Sequence, residues 1–293
     1  MDNNQQADVS VLVANYNNGR YLYDFMQSVI ASTFAPRELI VVDDGSTDNS
    51  MEVLEKFKYL DYLKLIQFPA NLGFTAALNA GLVTARGKYI MRADPDDILL
   101  PGRIGEQFFF MEENQDIDVL GANVIYFNDH TKKEVNGSNF PLTHRAIVKS
   151  YRRGEHGLLH ATVIAKAEVY QAYRYQEIFP GEDYELFSRM VMDGKRFASL
   201  SKPVNLVRIH ESSSTSTIQY QAIRQTYAFR DLVFGTKTTG LRMAWYFFHI
   251  RNYRNYLLSR NPLLKFSYII IAGLTYPAKA FRRILPNRLL FRS

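Results

Sequence analysis

Hydrophobic positions in the first hundred residues alternate between two spacings. Continuous β-branched runs at 9–14 (VSVLVA) and 39–42 (LIVV) predict strands buried on both faces, because a sheet covered on both sides needs no polar alternation. Between them Leu22, Phe25, Met26, Val29 and Ile30 recur at helical spacing. The pattern continues with a helix over 47–57 begun by Ser46 or Thr47, a strand at 62–67, a helix over 74–83 and a strand at 88–92. Such alternation predicts an open α/β domain with a mainly parallel sheet. After Pro101 the regularity weakens, with a long strand at 119–127, a short one at 162–165, a helix over 182–192 and a last strand at 204–209. The polar run 211–217 (ESSSTST) makes the best boundary. The expected organisation is an α/β domain over 1–218 and a helical, aromatic, basic region over 219–293.

Composition narrows the class. Hydrophobic residues make up 47% of the 293 and aromatics 14%, so core material is ample and general disorder is excluded. The absence of cysteine removes disulfides, thiolate zinc sites and cysteine nucleophiles, and fits a reducing compartment. The opening MDNNQQADVS lacks the basic and apolar regions of a signal peptide, which makes a cytoplasmic address the expectation.

Charge changes the picture more. The net +6 divides into 11 basic and no acidic residues from Leu232 onward, against 24 basic and 29 acidic before it. A nucleic-acid partner is therefore not expected, since the basic excess lies wholly in one terminal segment. That segment carries WYFF at 245–248 and YIII at 268–271, the composition of an interfacial helix, and predicts peripheral attachment to an anionic membrane surface on its cytoplasmic face. Its longest uncharged apolar stretch, 266–278, is 13 residues against about 20 needed to span a bilayer. The alternative is that these helices pack on the α/β domain or on a second subunit of a homo-oligomer.

Binding crevices of open α/β sheets lie beyond the carboxyl ends of the strands. Three clusters fall there: Asn15-Tyr16-Asn17, Asp43-Asp44-Gly45-Ser46 and Asp94-Pro95-Asp96-Asp97. Carboxylates as crowded as those of DPDD repel one another, a cost that a cation removes. Mg²⁺ or Mn²⁺ commonly takes one or two carboxylates together with substrate phosphates, which makes a diphosphate the natural partner. An isolated DxD is more often a solvated, helix-capping turn, and DDGS is equally an ordinary turn; it is the combination that favours chemistry. In the functional reading Asp44 accepts hydrogen bonds from a nucleobase or ribose and Tyr16 supplies a face for the base. No GxGxxG or GxxxxGK loop follows the first strand, so dinucleotide and P-loop chemistry fit poorly.

Six segments, VSVLVANYNNGRYL, LIVVDDGSTDNS, NLGFTAALNAGL, GKYIMRADPDDILLPGR, GEDYELFSR and RIHESSSTS, together resemble the family 2 glycosyltransferases in their order. The resemblance spans about residues 9–216. It implies the GT-A fold, a Rossmann-like nucleotide-diphospho-sugar transferase architecture. It also implies Mn²⁺ or Mg²⁺ as cofactor, and inverting transfer of a hexosyl or N-acetylhexosaminyl group from a nucleotide-diphosphate sugar to a glycan or lipid-linked acceptor, of the kind used in bacterial surface glycans. Position by position, Asp44 matches the acid contacting the base, Asp94 the approach to ribose and diphosphate, Asp96 the principal metal ligand and Asp183 the catalytic base, with Glu182 supporting it. Ala14 matches a small residue beside the base. His160 resembles a position on the acceptor side, and His210 one that approaches the metal or the diphosphate. Leu78 departs from the pattern where relatives often carry arginine. Read as residues alone, Glu182 and Asp183 also suit a helix N-terminus, where acids gain about 0.3 to 1 kcal/mol; His160 suits a structural histidine; and Arg189 and Arg208 suit ion pairs.

Two further readings compete: a sugar nucleotidyltransferase, which calls for a Gly-rich, arginine-containing loop that ANYNNGRYL does not supply, and a catalytically silent module that binds nucleotide sugars or glycans. The latter would not need a general base beside metal ligands.

Overall fold

Strand β1 (Gln6–Asn15) lies inside a sheet that places every carboxyl-end cluster on one edge. The computed structural model describes residues 5–177, 181–210, 220–259 and 261–277. β1 pairs in parallel with β2 (Ala35–Asp43) and β4 (Tyr89–Arg92), and β2 with β3 (Leu63–Gln67). The sheet continues through β8 (Ile164–Lys166), antiparallel to both β4 and β6 (Val119–Asn128). β9 (Phe197–Ile209) runs parallel to β6, and β5 (Ile98–Leu99) pairs antiparallel with β9. The order is β3-β2-β1-β4-β8-β6-β9-β5, with β7 (Glu134–Gly137) on β6. Two successive antiparallel pairings return β6 and β9 to the direction of β4. The carboxyl ends of β1, β2, β4 and β9 therefore open on the same side.

Strand alternation divides the core into two layers. Val9, Val11 and Val13 enter one apolar cluster with Leu22, Phe25 and Met26 of α1 (Gly19–Ile30). Leu12 and Ala14 enter the other with Leu78 of α3 (Phe74–Thr84) and Phe187 of α7 (Glu182–Met192). This two-sided burial explains the unbroken apolar run of β1.

Some boundaries differ from expectation. Helix α2 spans Ser50–Glu55, not 47–57, because Ser46 bonds Asp43 and the Thr47 N–H donates to Asn17 Oδ1 (2.8 Å), so neither caps the helix. β9 begins at Phe197 rather than at 204. Its first half contains Pro203, where the register with β6 shifts beside Asn123, and a proline inside a strand masks it. The short strand expected at 162–165 is preceded by a 3-10 turn at His160–Thr162. Helices α4 (Arg103–Glu113), α5 (His144–Arg152) and α6 (Ala167–Tyr173) complete the α/β layer.

Three further helices follow: α8 (Tyr220–Phe234), α9 (Gly240–Leu258) and α10 (Pro262–Thr275). α8 packs on α5 and α7. Tyr227 of α8 meets Tyr246 of α9 edge-on with ring centres 5.7 Å apart. α10 folds back along α9, where the Trp245 Nε1–H donates to the Thr275 carbonyl (3.1 Å). The boundary expected at 211–217 lies outside the described residues. Among the described residues no helix is long and apolar enough to cross a membrane.

Candidate active site

At the ends of β1 and β2 the chain ties its own turns together. Asn15 Nδ2–H donates to Asp43 Oδ1 (2.8 Å), and Asp43 Oδ2 accepts from the Ser46 N–H (3.0 Å). Gly45, at φ +70°, lies so close to Ala70 that a β-carbon would clash with its backbone. Asp44 is buried, and its two oxygens accept from the Leu72 N–H (2.7 Å) and the Gly73 N–H (2.9 Å). Asp44 thus holds the loop entering α3 and keeps a lone pair on each oxygen for a ligand. Ala14, small and without a polar group, belongs to the apolar cluster beneath α3. Tyr16 is 43% exposed, a free aromatic face at the rim. Leu78 is fully buried in the core, so it offers no phosphate contact.

The three carboxylates of DPDD face three different partners. Asp94 Oδ1 accepts from the guanidinium of Arg92, itself buried at the end of β4. Asp96 Oδ2 lies 2.9 Å from His210 Nε2, just past the end of β9. Asp97 is buried and accepts from the Arg208 N–H (3.1 Å); burial, then the neighbouring Asp96 and Asp94, push its carboxyl well above the usual carboxylate range. The crowding expected to require a cation is therefore relieved in part by Arg92 at Asp94, by the contact of Asp96 with His210 and by the Arg208 N–H at Asp97. Beneath them Arg103 donates to the Arg92 carbonyl (2.6 Å), the Ala161 carbonyl (2.8 Å) and Asn205 Oδ1 (2.7 Å). Burial pulls its pKa down to about 9, against the pull of Asp97. Arg208 is also buried and pairs with Asp129 (2.6 Å) and Asp24 (3.0 Å). Its guanidinium sits 4.8 Å from the Tyr21 ring, which in turn lies 4.7 Å from the His210 ring.

Among the described residues no group of three or more His, Asp or Glu side chains gathers to hold a metal. Asp96 and His210 offer one oxygen and one nitrogen donor. That set suits an ion whose remaining positions are filled by diphosphate oxygens and water, as is usual for Mg²⁺ and Mn²⁺.

A third cluster forms where α7 begins. Gly181, at φ +121°, turns the chain into the helix. Asp183 Oδ1 accepts from the Tyr184 N–H (2.7 Å) and Oδ2 lies 3.2 Å from His156 Nδ1. Burial raises the Asp183 pKa, but the His156 charge and hydrogen bond more than reverse this and hold it far below the usual range. Glu182 goes the other way: burial, then the Asp183 charge, raise it to about 7. His160 Nε2 lies 2.6 Å from the Tyr175 hydroxyl, and burial, aided by Arg92, lowers its pKa to about 3, so it is neutral. Phe74 joins the two ends of the cleft, with its ring 5.2 Å from the Arg92 guanidinium and 6.4 Å from the His160 ring. Arg92, Phe74 and His160 thus link the DPDD turn to the start of α7. Arg189 pairs with Glu185 (2.5 Å), the kind of ion pair its residue type suggested.

The sequence model described as Glycosyl transferase family 2 matches residues 10–174. The chain belongs to this family. An uncharacterised glycosyltransferase of Haemophilus influenzae is 31% identical over 73% of the chain and 69% of its own length. The amylovoran biosynthesis glycosyltransferase AmsE of Erwinia amylovora is 29% identical over 83% of the chain and 91% of its own. Among solved structures, Staphylococcus aureus TarS 1–349 in complex with UDP-GlcNAc superposes with a TM-score of 0.61 at 20% identity, covering 91% of this chain and 80% of that one. The mannosyltransferase PcManGT of Pyrobaculum calidifontis, in complex with GDP-Man and Mn²⁺, gives 0.55 at 16% identity, covering 99% and 79%. The fold is GT-A, and the protein is a glycosyltransferase.

Several residues of this glycosyltransferase escaped the sequence reading. Arg92 carried a signal, an arginine closing an otherwise apolar strand, which must find a partner when buried. His156 carried none: it lies in a loop, RRGEHGLLH, far along the chain from Asp183.

Proposed function

We propose that this glycosyltransferase moves a hexosyl or N-acetylhexosaminyl group from a nucleotide-diphosphate sugar to a hydroxyl of a glycan or lipid-linked acceptor, with inversion and with Mn²⁺ or Mg²⁺. The observation that carries the reading is the contact of Asp96 with His210, linked through Arg92, Phe74 and His160 to the ionised Asp183. Donor complexes of TarS and PcManGT, the second with Mn²⁺, support the donor class and the metal. The name of AmsE supports a role in surface polysaccharide assembly.

Asp96 and His210 would hold the cation together with the donor diphosphate, and the cation, when bound, supplies positive charge against the leaving group. Tyr16 stacks on the base, while Asp44 fixes the loop that borders it. Arg92 holds Asp94 toward ribose and diphosphate. Asp183 accepts a hydrogen bond from the acceptor hydroxyl. As the acceptor oxygen bonds to the anomeric carbon and the bond to the diphosphate breaks, the hydroxyl proton passes to Asp183. A carboxylate of such low pKa takes that proton only once the attacking oxygen has become strongly acidic, late in the displacement. Neutral His160, oriented by Tyr175, and Glu182 line the acceptor side.

Thermal stabilisation by UDP, GDP and dTDP sugars with Mn²⁺ tests the reading. The cognate donor at about 100 times its dissociation constant stabilises by about 2.7 kcal/mol, and only with metal. Stabilisation by none of the donors, or equal stabilisation without metal, contradicts it.

A further inference from the structure

The hairpin of α9 and α10 presents two outward apolar stripes. On α9, Leu241, Trp245 and Phe248 recur at three- and four-residue spacing and are 80%, 51% and 46% exposed. On α10, Leu263, Phe266, Ile270 and Leu274 do the same, and all four are exposed. The opposite faces are spent on packing, through Tyr246 and His249 of α9 and Ala272 of α10. A helix with an apolar side buried in the protein and a second apolar side in solvent is costly in water, and an uninterrupted exposed stripe marks an interaction surface. Charge says which kind. Arg242 and Arg251 flank the α9 stripe in exposed positions, and from Leu232 to the end the sequence holds 11 basic and no acidic residues. A second copy of the same hairpin would bring like charges together. An anionic lipid surface meets both features at once.

We infer that the α9–α10 hairpin lies in the headgroup region of an anionic bilayer, with its two stripes in the acyl boundary. Neither helix spans. The 14 residues of α10 extend about 21 Å, short of an approximately 30 Å hydrocarbon core, and α9 carries three arginines. The placement matters because α8, which joins the hairpin to the rest, packs on α7, the helix that begins with Glu182 and Asp183. A β-carbon at Gly181 would lie 3.7 Å from Thr226 Oγ1 of α8. The membrane-bound hairpin is thus attached at the acceptor end of the cleft, which rests on the proposed function and selects a lipid-linked acceptor from its two alternatives.

Trp245 is the only tryptophan, so its fluorescence reports the stripe directly and independently of turnover. Full-length protein is titrated with vesicles of phosphatidylglycerol and phosphatidylcholine, and with phosphatidylcholine alone. The expected result is a blue shift and flotation with the anionic vesicles, weakened by salt. Arg242→Gln and Arg251→Gln each lower partitioning about fivefold at low salt. The exposed triple variant Leu263→Ser, Phe266→Ser, Ile270→Ser lowers it further while leaving circular dichroism unchanged. Absence of both shift and flotation overturns the inference. So does self-association in solution that the triple variant abolishes while vesicle binding is nil, since the stripes would then join two copies. Donor binding remains intact in either case, which separates failure here from failure of the proposed chemistry.

Discussion

His156 Nδ1 lies 3.2 Å from Asp183 Oδ2, and this contact sets the protonation state of the carboxylate at the start of α7. Asp183 sits where burial alone would raise its pKa, and the histidine reverses that sign. His156→Ala should move the Asp183 pKa upward. Because a general base must be unprotonated, transfer in the variant should gain an acidic limb and fall by about tenfold at pH 5 relative to pH 8, beyond any change in the parent. Donor affinity should not change. A pH profile of kcat in both proteins checks this; superimposable profiles would remove His156 from the account.

The Asp96–His210 contact leads to a second expectation. Asp96→Ala should lower affinity for a nucleoside diphosphate in Mn²⁺ by at least about tenfold, or 1.4 kcal/mol, and leave metal-free affinity as it was. His210→Ala should act in the same direction. Calorimetric titration with and without Mn²⁺ separates the two contributions, and equal losses in both conditions would mean that the pair touches donor without metal.

Glu182 provides a stability test with a definite sign. Its pKa in the folded protein, about 7, is above the unfolded value of about 4.3. The folded state therefore holds the proton more tightly, and this contribution is complete below pH 4.3 and lost as pH rises through 7. Glu182→Gln keeps the neutral form at all pH, so it should stabilise the protein by roughly 3 to 4 kcal/mol at pH 8 and negligibly at pH 4. Chemical denaturation at both values checks it.

The product offers another check. A single displacement converts an α-linked donor to a β-linked product, and proton coupling at the new anomeric centre reads the outcome. Retention would exclude a single in-line displacement and would deny Asp183 the role of base.

The α/β half of the fold was legible because β1, β2 and β4 are buried on both faces and each ends in a polar cluster. That the ends share an edge follows from parallel pairing, which the alternation of strand and helix already implied. The second half was less so. β9 hides behind Pro203, and α5 buries only Ile147 and Tyr151, too few apolar positions to stand out from a polar loop. Asp96 and His210 are 114 residues apart, and their meeting depends on β8 reversing direction twice between β4 and β6. His156 meets Asp183 through packing of a loop on α7, which no local pattern encodes. Asp44 shows a different limit: its residue type pointed to a ligand, and nothing local signalled that its oxygens also accept from two backbone N–H groups of the loop before α3.

The central claim is that Asp183 acts on the acceptor proton and not on the donor. Asp183→Asn keeps size and the acceptor oxygen but cannot take a proton. With the cognate donor and Mn²⁺, donor affinity measured by calorimetry should stay within about twofold of the parent while transfer falls by about 100-fold or more. Parallel loss of donor affinity and transfer, or transfer retained, would contradict the account.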